Sequence, residues 1–264
     1  MMFDIRNASF TYPTAKVPTF KGLNFSLKPG EVMTILGRNG IGKTTLVKCL
    51  TGIYRFTEGE VSINGKPAGG TVALKDVSYV PQTHGLAFPY SVFDMVLMGR
   101  TRKMGVLAIP SKNDRATTCQ VLEEMSISHL AERKCNELSG GQMQLVYIAR
   151  ALVGEPKILV MDEPESALDF KNQFKILRLI SNLSRERGIT CIINTHYPDH
   201  ALQISDKTLL MGEGRTLFGP TEQMITEDHM GDFFDVRAKI ANIEVEGEIR
   251  KTFLVVGTHD KRLA

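Results

Sequence analysis

Three short, nearly continuous runs of apolar residues stand out from the mixed pattern of the chain, at 32–36, 158–161 and 189–194. Each has the length of a strand, which predicts strands covered on both faces, as in the centre of a parallel sheet. Segments with helical periodicity follow the first run, at 46–50, and separate the other two, at about 170–187. This alternation predicts an α/β fold with a parallel sheet.

The amino-terminal part favours strands. Residues 3–12 and 23–27 alternate loosely, and 59–65 ends in an Asn-Gly turn signal. Residues 77–80 predict a further short strand that Pro81 closes. We expect an antiparallel β subdomain here, with one helix after the first apolar run.

Between the first and second apolar runs the period changes from that of strands to that of helices. Ser91 is placed to cap one helix, Ser111 or Asn113 a second, and a third begins near Gln142. We therefore predict a helical insertion at about 85–151. Near the carboxyl end, 207–218 predicts a hairpin, and the stretch from 232 onward a short helix and a second hairpin around Gly247.

Composition narrows the class of protein. The 264 residues carry a net charge of +3 from 32 basic and 29 acidic side chains, too balanced to indicate nucleic acid as the main partner. No apolar run approaches the roughly 18 residues that cross a membrane, and the first residues lack a signal-peptide pattern. The four cysteines form no C-x-x-C pair, which is typical of reduced thiols. We expect a soluble cytoplasmic protein.

A glycine-rich segment directly after the first apolar run carries the clearest chemistry. It has the pattern G-x-x-x-x-G-K-T between a predicted strand and a predicted helix, which is the context of a phosphate-binding P-loop. Its backbone N–H groups and the start of the helix favour an anion. Lys43 is placed to reach the β- and γ-phosphates, and the Thr44 hydroxyl to ligate Mg²⁺. The predicted phosphate-binding residues here are Gly37, Arg38, Asn39, Gly40, Ile41, Gly42, Lys43, Thr44 and Thr45.

Two adjacent carboxylates, Asp162 and Glu163, end the second apolar run. Ligands of open α/β sheets bind outside the carboxyl ends of the strands, where the P-loop also lies. A carboxylate at this edge is able to hold Mg²⁺, and a second one to orient or deprotonate an attacking water. We assign the metal role to Asp162 and the catalytic role to Glu163.

A third motif precedes the last helix of the insertion and reads Leu138, Ser139, Gly140, Gly141 and Gln142. Alone, it is a serine helix cap with a glycine turn. Together with the P-loop and the acidic pair, it makes the chain resemble the ATP-binding cassettes of ABC transporters from about residue 3 to 219. In that family this motif is the signature sequence, and it lies about this far before the acidic strand end.

The resemblance implies roles that spacing alone does not reveal. Tyr12 is similar to the aromatic residue that stacks on adenine. Gln82 is similar to the loop glutamine that senses Mg²⁺ and the γ-phosphate, and His196 to the switch histidine that contacts the γ-phosphate. Residues 166–169 are similar to the loop that crosses to the partner subunit. From the residues alone, Gln82 and His196 are surface polar groups.

Two further features bear on the site. His196 and His200 have the i, i+4 spacing of a metal pair, but Pro198 lies between them and no further ligand completes a site. The chain also departs from the family at Glu165, where a small hydroxyl residue is common, and at Met143 and Leu145, which are often basic. Both departures affect details of the expected dimer contact.

The resemblance implies a head-to-tail pair of cassettes that sandwiches two ATP molecules. Each ATP is held by one P-loop and by Ser139, Gly140, Gly141 and Gln142 of the opposite copy, with Glu163, His196, Gln82 and Lys43 as catalytic groups. The implied cofactors are ATP and Mg²⁺, with Thr44, Gln82 and Asp162 around the metal. The implied partners are a second copy of the chain, integral membrane permease subunits and, indirectly, a substrate-binding protein. The implied location of the chain is peripheral, at the cytoplasmic face of the membrane.

Residues 88–100 with 110–112 resemble importer cassettes for iron chelates, haem, cobalamin or oxyanions. The resemblance implies that this segment forms the groove that receives a coupling helix of the permease. The alternative is that its apolar side chains form the internal packing of the insertion. An exporter cassette, or a non-transport cassette acting on nucleic acid or ribosomes, remains an alternative. The predicted fold class is a P-loop NTPase core with a parallel sheet, an antiparallel β subdomain and an inserted helical subdomain. We place the cassette at 1–228 and a small extension at 229–264.

Overall fold

The computed structural model of the protein describes residues 2–67, 76–82, 89–104, 108–166 and 168–258. The strands are β1 (Phe3–Phe10), β2 (Phe20–Leu27), β3 (Val32–Gly37), β4 (Glu58–Ile63), β5 (Lys66–Pro67), β6 (Val77–Val80), β7 (Ile158–Asp162), β8 (Thr190–Asn194), β9 (Lys207–Gly212), β10 (Arg215–Pro220), β11 (Val236–Val245) and β12 (Glu248–Thr258). The α-helices are α1 (Lys43–Leu50), α2 (Val92–Leu97), α3 (Lys112–Glu124), α4 (Gly140–Leu152), α5 (Phe170–Arg185), α6 (Pro198–Ile204), α7 (Thr221–Met224) and α8 (Glu227–Phe234).

A six-stranded sheet with the order β10-β9-β3-β8-β7-β6 forms the centre of the protein. All neighbouring pairs are parallel except β9 with β10, which form the predicted hairpin. Every residue of β3, β7 and β8 is buried, as their apolar composition predicts. The parallel α/β core is therefore confirmed. The carboxyl ends of β6, β7 and β8 lie side by side at one edge.

A second, fully antiparallel sheet has the order β2-β1-β4-β5. It confirms the predicted β subdomain, and the Asn-Gly signal forms a turn in which Asn64 and Gly65 both have positive φ. The strand predicted at 77–80 does not join this sheet. It is β6 of the central sheet, parallel to β7, because both strands are covered by two cores: Val77 is buried with Ile158 in one, and Val80 with Leu159 in the other.

Helices α2, α3 and α4 lie in the chain between β6 and β7, as the change of period predicts. The Ser91 side chain caps α2, and Ser111, rather than Asn113, caps α3. After α2 the chain continues as a 3-10 helix at Met98–Lys103. The predicted start of the insertion at residue 85 lies outside the described residues.

The carboxyl-terminal part forms the predicted hairpin, whereas the short helix, α8, begins at Glu227, earlier than predicted. Met230 and Phe233 of α8 are buried against Leu36 and Leu210 of the central sheet. The boundary predicted at 228 falls inside α8. We propose to move it to Asp235, so that only the β11–β12 hairpin extends beyond the cassette. Among the described residues, no helix combines the length and the apolar character that crossing a membrane requires.

Candidate nucleotide site

The glycine-rich loop joins β3 to α1 and closes on itself through Lys43. Its Nζ atom donates to the carbonyl oxygens of Gly37, at 2.8 Å, and of Arg38, at 3.0 Å. Gly42 has φ +106°, and a Cβ atom there would lie 2.4 Å from the Thr19 side chain, so this position requires glycine. Burial lowers the pKa of Lys43, and the charges of Glu163 and Asp162 oppose that shift.

An open cavity of about 620 Å³ lies over this loop. Its lining combines the loop with groups from distant parts of the chain: Tyr12, Thr19, Asn39, Gly40, Gly42, Lys43, Thr44, Thr45, Gln82, Glu163 and His196. The structure thus brings most of the predicted site residues to one place. The cavity is polar at its base and has an aromatic ring at its rim.

Tyr12 forms that rim. Its hydroxyl is 2.8 Å from Oγ1 of Thr45 in the first turn of α1, and its ring meets the rings of Phe10 and Tyr54 edge-on. The side chain is only partly covered, with an exposed fraction of 37%. A partly exposed ring that is held by its hydroxyl and by two neighbouring rings is suited to stack on a planar base.

Asp162 lies beside Thr44 of the P-loop, buried at the carboxyl end of β7. Its Oδ1 accepts from Asn194 Nδ2 at 2.5 Å and from the Thr44 hydroxyl at 3.4 Å. Its Oδ2 is 3.5 Å from the hydroxyl of Tyr79. Burial, and secondarily the neighbouring carboxylate, raises the pKa of Tyr79, which keeps the phenol neutral.

Glu163 is held from two sides. Its Oε2 accepts from Gln82 Nε2 at 2.8 Å, and its Oε1 lies 2.6 Å from His196 Nε2. The residue has φ +49°, a left-handed conformation that is uncommon away from glycine. Gln82, Glu163 and His196 follow the adjacent strands β6, β7 and β8, and the sheet order brings them together. A carboxylate fixed in this way is able to accept a proton from a water molecule in the cavity.

Two residues that hold the site were missed in the sequence. Asn194 carried a signal, because it is a polar residue at the end of a buried strand beside the acidic one. Tyr79 carried none, since its position inside β6 reads as ordinary core. The P-loop residue Arg38 also has an unforeseen partner: its guanidinium forms an ion pair with Asp235, just after α8.

The signature residues lie elsewhere, at the start of α4. Ser139 and Gln142 form a reciprocal helix cap, with Ser139 Oγ accepting from the Gln142 amide at 3.3 Å and Gln142 Oε1 accepting from the Ser139 amide at 3.1 Å. Within the described part of the chain, neither they nor Gly140 and Gly141 line the cavity. The structure therefore does not bring this motif to the P-loop of its own chain.

Two other predicted segments are described in part. Ala167 of the loop at 166–169 lies outside the described residues, while Asp169 caps α5 by accepting from the Asn172 amide at 2.8 Å. Phe88 of the segment 88–100 also lies outside them. Val92, Met95 and Val96 of that segment are buried in the core of the insertion, which favours internal packing for these side chains.

Fold and site together define a P-loop nucleoside triphosphatase. A family model described as ABC transporter matches residues 20–166, more than half of the chain, so the chain belongs to the ABC transporter family. It is an ATPase of the ATP-binding cassette class and binds ATP.

Known proteins of this class resemble the chain over nearly its whole length. The molybdate import ATP-binding protein MolC of Haemophilus influenzae is 36% identical, and the match covers 87% of each chain. A solved structure assigned to a metal-chelate type ABC transporter in an inward-facing conformation has a TM-score of 0.87 at 33% identity and covers 96% of both chains. The dimeric cassette MJ0796, solved in a post-hydrolysis state with ADP and Pi, has a TM-score of 0.72 at 27% identity, covering 83% of this chain and 98% of its own.

Proposed function

We propose that the chain hydrolyses ATP between two copies of itself and thereby drives a separate membrane permease that imports a metal chelate or an oxyanion. The observation that carries the catalytic part is the placement of Glu163 between Gln82 and His196, at the cavity above the P-loop. A carboxylate so held is oriented toward the space where the γ-phosphate of a P-loop nucleotide lies.

Different residues of the chain bind the adenine, bind the phosphates and promote the hydrolysis. Tyr12 stacks on adenine, and the P-loop amides with the Lys43 ammonium bind the phosphates. In the structure Lys43 donates to two loop carbonyls, and it exchanges these for phosphate oxygens when ATP binds. His196 donates to the γ-phosphate, and Glu163 accepts the proton of the attacking water. Stabilising the transferred group in place supplies most of the rate.

The oxygen donors beside the P-loop fit Mg²⁺. The Thr44 hydroxyl and Asp162 Oδ1 are 3.4 Å apart, and Gln82 adds an amide oxygen at the same strand edge. Hydroxyl, carboxylate and amide oxygens are the hard ligands that Mg²⁺ prefers. A bound Mg²⁺ would neutralise phosphate charge, and Thr44, Asp162 and Gln82 would hold it.

A second copy completes the site. Ser139 and the amides of Gly140 and Gly141 start α4, which suits an anion, yet in their own chain they lie apart from the cavity lining. A head-to-tail pair supplies each P-loop with the signature motif of the other copy. The dimeric cassette with ADP and Pi supports such a pairing in a similar protein.

The transport part rests on relatives. A molybdate import protein and a structure of the metal-chelate type support an oxyanion or metal-chelate cargo for the permease. On this proposal the cassette works at the cytoplasmic face of the membrane, its permease receives cargo from a substrate-binding protein, and nucleic acid plays no part.

An affinity pull-down tests the transport assignment. The tagged Glu163→Gln chain is incubated with ATP and detergent-solubilised native membranes, and partners are identified by mass spectrometry. The Lys43→Ala chain, which we expect not to retain ATP, is the control. A polytopic membrane protein in near-equal amount, recovered only with Glu163→Gln, supports a transporter. Recovery of ribosomes or nucleic acid instead would overturn the transport assignment and leave the ATPase intact.

A further inference from the structure

A second carboxylate, that of Glu165, lies two residues beyond Glu163 and has no role in the proposed hydrolysis of ATP. Glu165 is 1% exposed, although it occupies a position where the family commonly has a small hydroxyl residue. A carboxylate that is buried at this depth needs partners, because removing a charge from water without them is costly. Its partners identify what it does.

The first partner is Thr195, the residue before His196. The Thr195 hydroxyl donates to Glu165 Oε1 and accepts from the amide of Tyr197 at 3.1 Å. A hydroxyl has a single proton. Because the Tyr197 amide donates to the Thr195 oxygen, the Thr195 proton is free to point at the Glu165 carboxylate. The Thr195 hydroxyl thus connects Thr195 to Tyr197, the two residues on either side of His196. Glu165 holds that hydroxyl in place by accepting its hydrogen bond.

The two carboxylates contact consecutive residues of the opposite loop. Glu163 meets His196 at 2.6 Å, and Glu165 meets Thr195. The backbone of the two loops is also joined, since the Glu163 amide donates to the Asn194 carbonyl at 2.9 Å. The distance between His196 and Glu163 therefore depends on a set of contacts that Glu165 completes.

His200 approaches the same carboxylate from α6. Its Nδ1 lies 3.6 Å from Glu165 Oε1, and its ring packs against Tyr197 with centroids 4.6 Å apart. Among the described residues, neither His200 Nδ1 nor Glu165 Oε2 has a hydrogen-bond partner. The imidazole therefore approaches the same carboxylate oxygen that accepts from the Thr195 hydroxyl.

The backbone of Glu165 also connects to the loop that leads to α5. Its carbonyl oxygen is 3.4 Å both from Gln173 Nε2 on α5 and from the Leu168 amide. Glu165 thus links α5, the catalytic carboxylate and the His196 loop.

We propose that Glu165 is a positioning residue that acts through Thr195 and holds His196 against Glu163. This inference rests on the roles proposed above for Glu163 and His196. Removing the carboxylate leaves the Thr195 hydroxyl without its acceptor and frees the His196 loop, so His196 is misplaced while nucleotide contacts on the P-loop remain. Misplacement of a catalytic group by about 1 Å costs up to ~100-fold in rate.

The first set of measurements compares kcat and KM for ATP hydrolysis, with thermal unfolding as a check on folding. For Glu165→Thr and Thr195→Val we expect kcat to fall about 10- to 100-fold with KM for ATP changed less than about threefold. Thr195→Ser keeps the hydroxyl and is expected to retain near-native kcat. Thr118→Val is the matched control, because Thr118 is fully buried in α3 and, among the described residues, its hydroxyl bonds only the Asp114 carbonyl.

The decisive measurement is the double variant with His196→Ala. If Glu165 acts through His196, Glu165→Thr has no further effect on single-turnover hydrolysis once His196 is absent. A further fall by the same factor in that background would show a general structural role and overturn the inference. Native kcat in both Glu165→Thr and Thr195→Val would overturn it too.

Two outcomes separate this inference from the proposed function. Loss of activity in His196→Ala together with native activity in Glu165→Thr rejects only the positioning role. Native activity in His196→Ala rejects the proposed role of His196 and this inference with it. If Glu165→Thr fails to fold, the pair Thr195→Ser and Thr195→Val carries the same test, because Thr195→Val removes the donor and leaves Glu165 in place.

Discussion

Asn194 Nδ2 donates to Asp162 Oδ1 at 2.5 Å, and the same two residues are register partners on β8 and β7. Both are buried, with exposed fractions of 0% for Asn194 and 3% for Asp162. The amide compensates a carboxylate that is out of reach of bulk water and turns it toward Thr44. The two strand ends are thus joined at the point where we propose Mg²⁺ to bind.

Asn194→Ala should therefore impair both stability and metal use. Leaving Asp162 without this donor is expected to lower the free energy of unfolding by about 1–3 kcal/mol. The Mg²⁺ concentration for half-maximal ATP hydrolysis should rise in the same variant. Urea unfolding and a Mg²⁺ titration check these expectations, with the exposed Asn182→Ala on α5 as the control. Native values of both quantities would mean that Asn194 does not support Asp162.

Glu163→Gln should separate ATP binding from hydrolysis. The amide still hydrogen-bonds but no longer accepts a proton, so kcat is expected to fall about 10²- to 10⁴-fold. ATP binding should persist, and the trapped nucleotide should hold two copies together in size-exclusion chromatography. The exposed Glu132→Gln serves as the control and should turn over normally. Native turnover of Glu163→Gln would remove the catalytic role from this residue.

Tyr12 offers a graded test of nucleotide stacking. Removing the ring in Tyr12→Ala is expected to weaken ATP binding by about 1–3 kcal/mol, the range measured for base–aromatic stacking. Tyr12→Phe keeps the ring and loses only the contact with Thr45, so it should bind ATP nearly as well as the native chain. Equilibrium binding of a fluorescent ATP analogue measures both. Equal weakening in the two variants would point to the hydroxyl and count against stacking.

Asp114 provides a pH-dependent test of the helical insertion. Hydrogen bonds from Ser111, then from the Arg100 guanidinium, lower the pKa of Asp114 to about 2, from 3.8. A lowered carboxyl pKa contributes stability that is present above about 3.8 and is lost as the pH falls toward about 2.

Asp114→Asn should therefore be less stable than the native chain at neutral pH, and the difference should shrink as the pH falls below about 3.8. Urea unfolding near neutral pH and again at mildly acidic and strongly acidic pH measures that difference. Ser111→Ala should follow the same trend, since Ser111 is the main cause of the shift. A difference that stays constant with pH would show that Asp114 acts through packing rather than through its charge.

Much of the cassette fold could be predicted from the sequence because the patterns that indicate it lie in contiguous residues. The apolar runs at β3 and β7 identify buried parallel strands wherever they occur in the sequence. The P-loop is equally local, since Gly42 needs its backbone freedom and Lys43 closes the loop within six residues. For such features the neighbours in sequence are also the neighbours in space.

The arrangement of the catalytic groups depends on tertiary structure. Glu163 meets Gln82 across 81 positions of the chain and His196 across 33. Only the strand order β8-β7-β6 places the three side chains together, and that order results from the packing of the whole sheet. The family resemblance pointed to Gln82 and His196, but not to the contacts that Asn194, Tyr79 and Glu165 make.

The sequence by itself determined the class of the protein, its phosphate loop and its acidic strand end, because each is encoded in contiguous residues. Tertiary structure decided that β6 joins the central sheet, that Arg38 pairs with Asp235 and that Glu165 supports the loop of His196. These outcomes depend on contacts between distant segments. The periodicity and spacing of residues in the sequence do not predict such contacts, because the contacts contribute free energy only when the segments pack together.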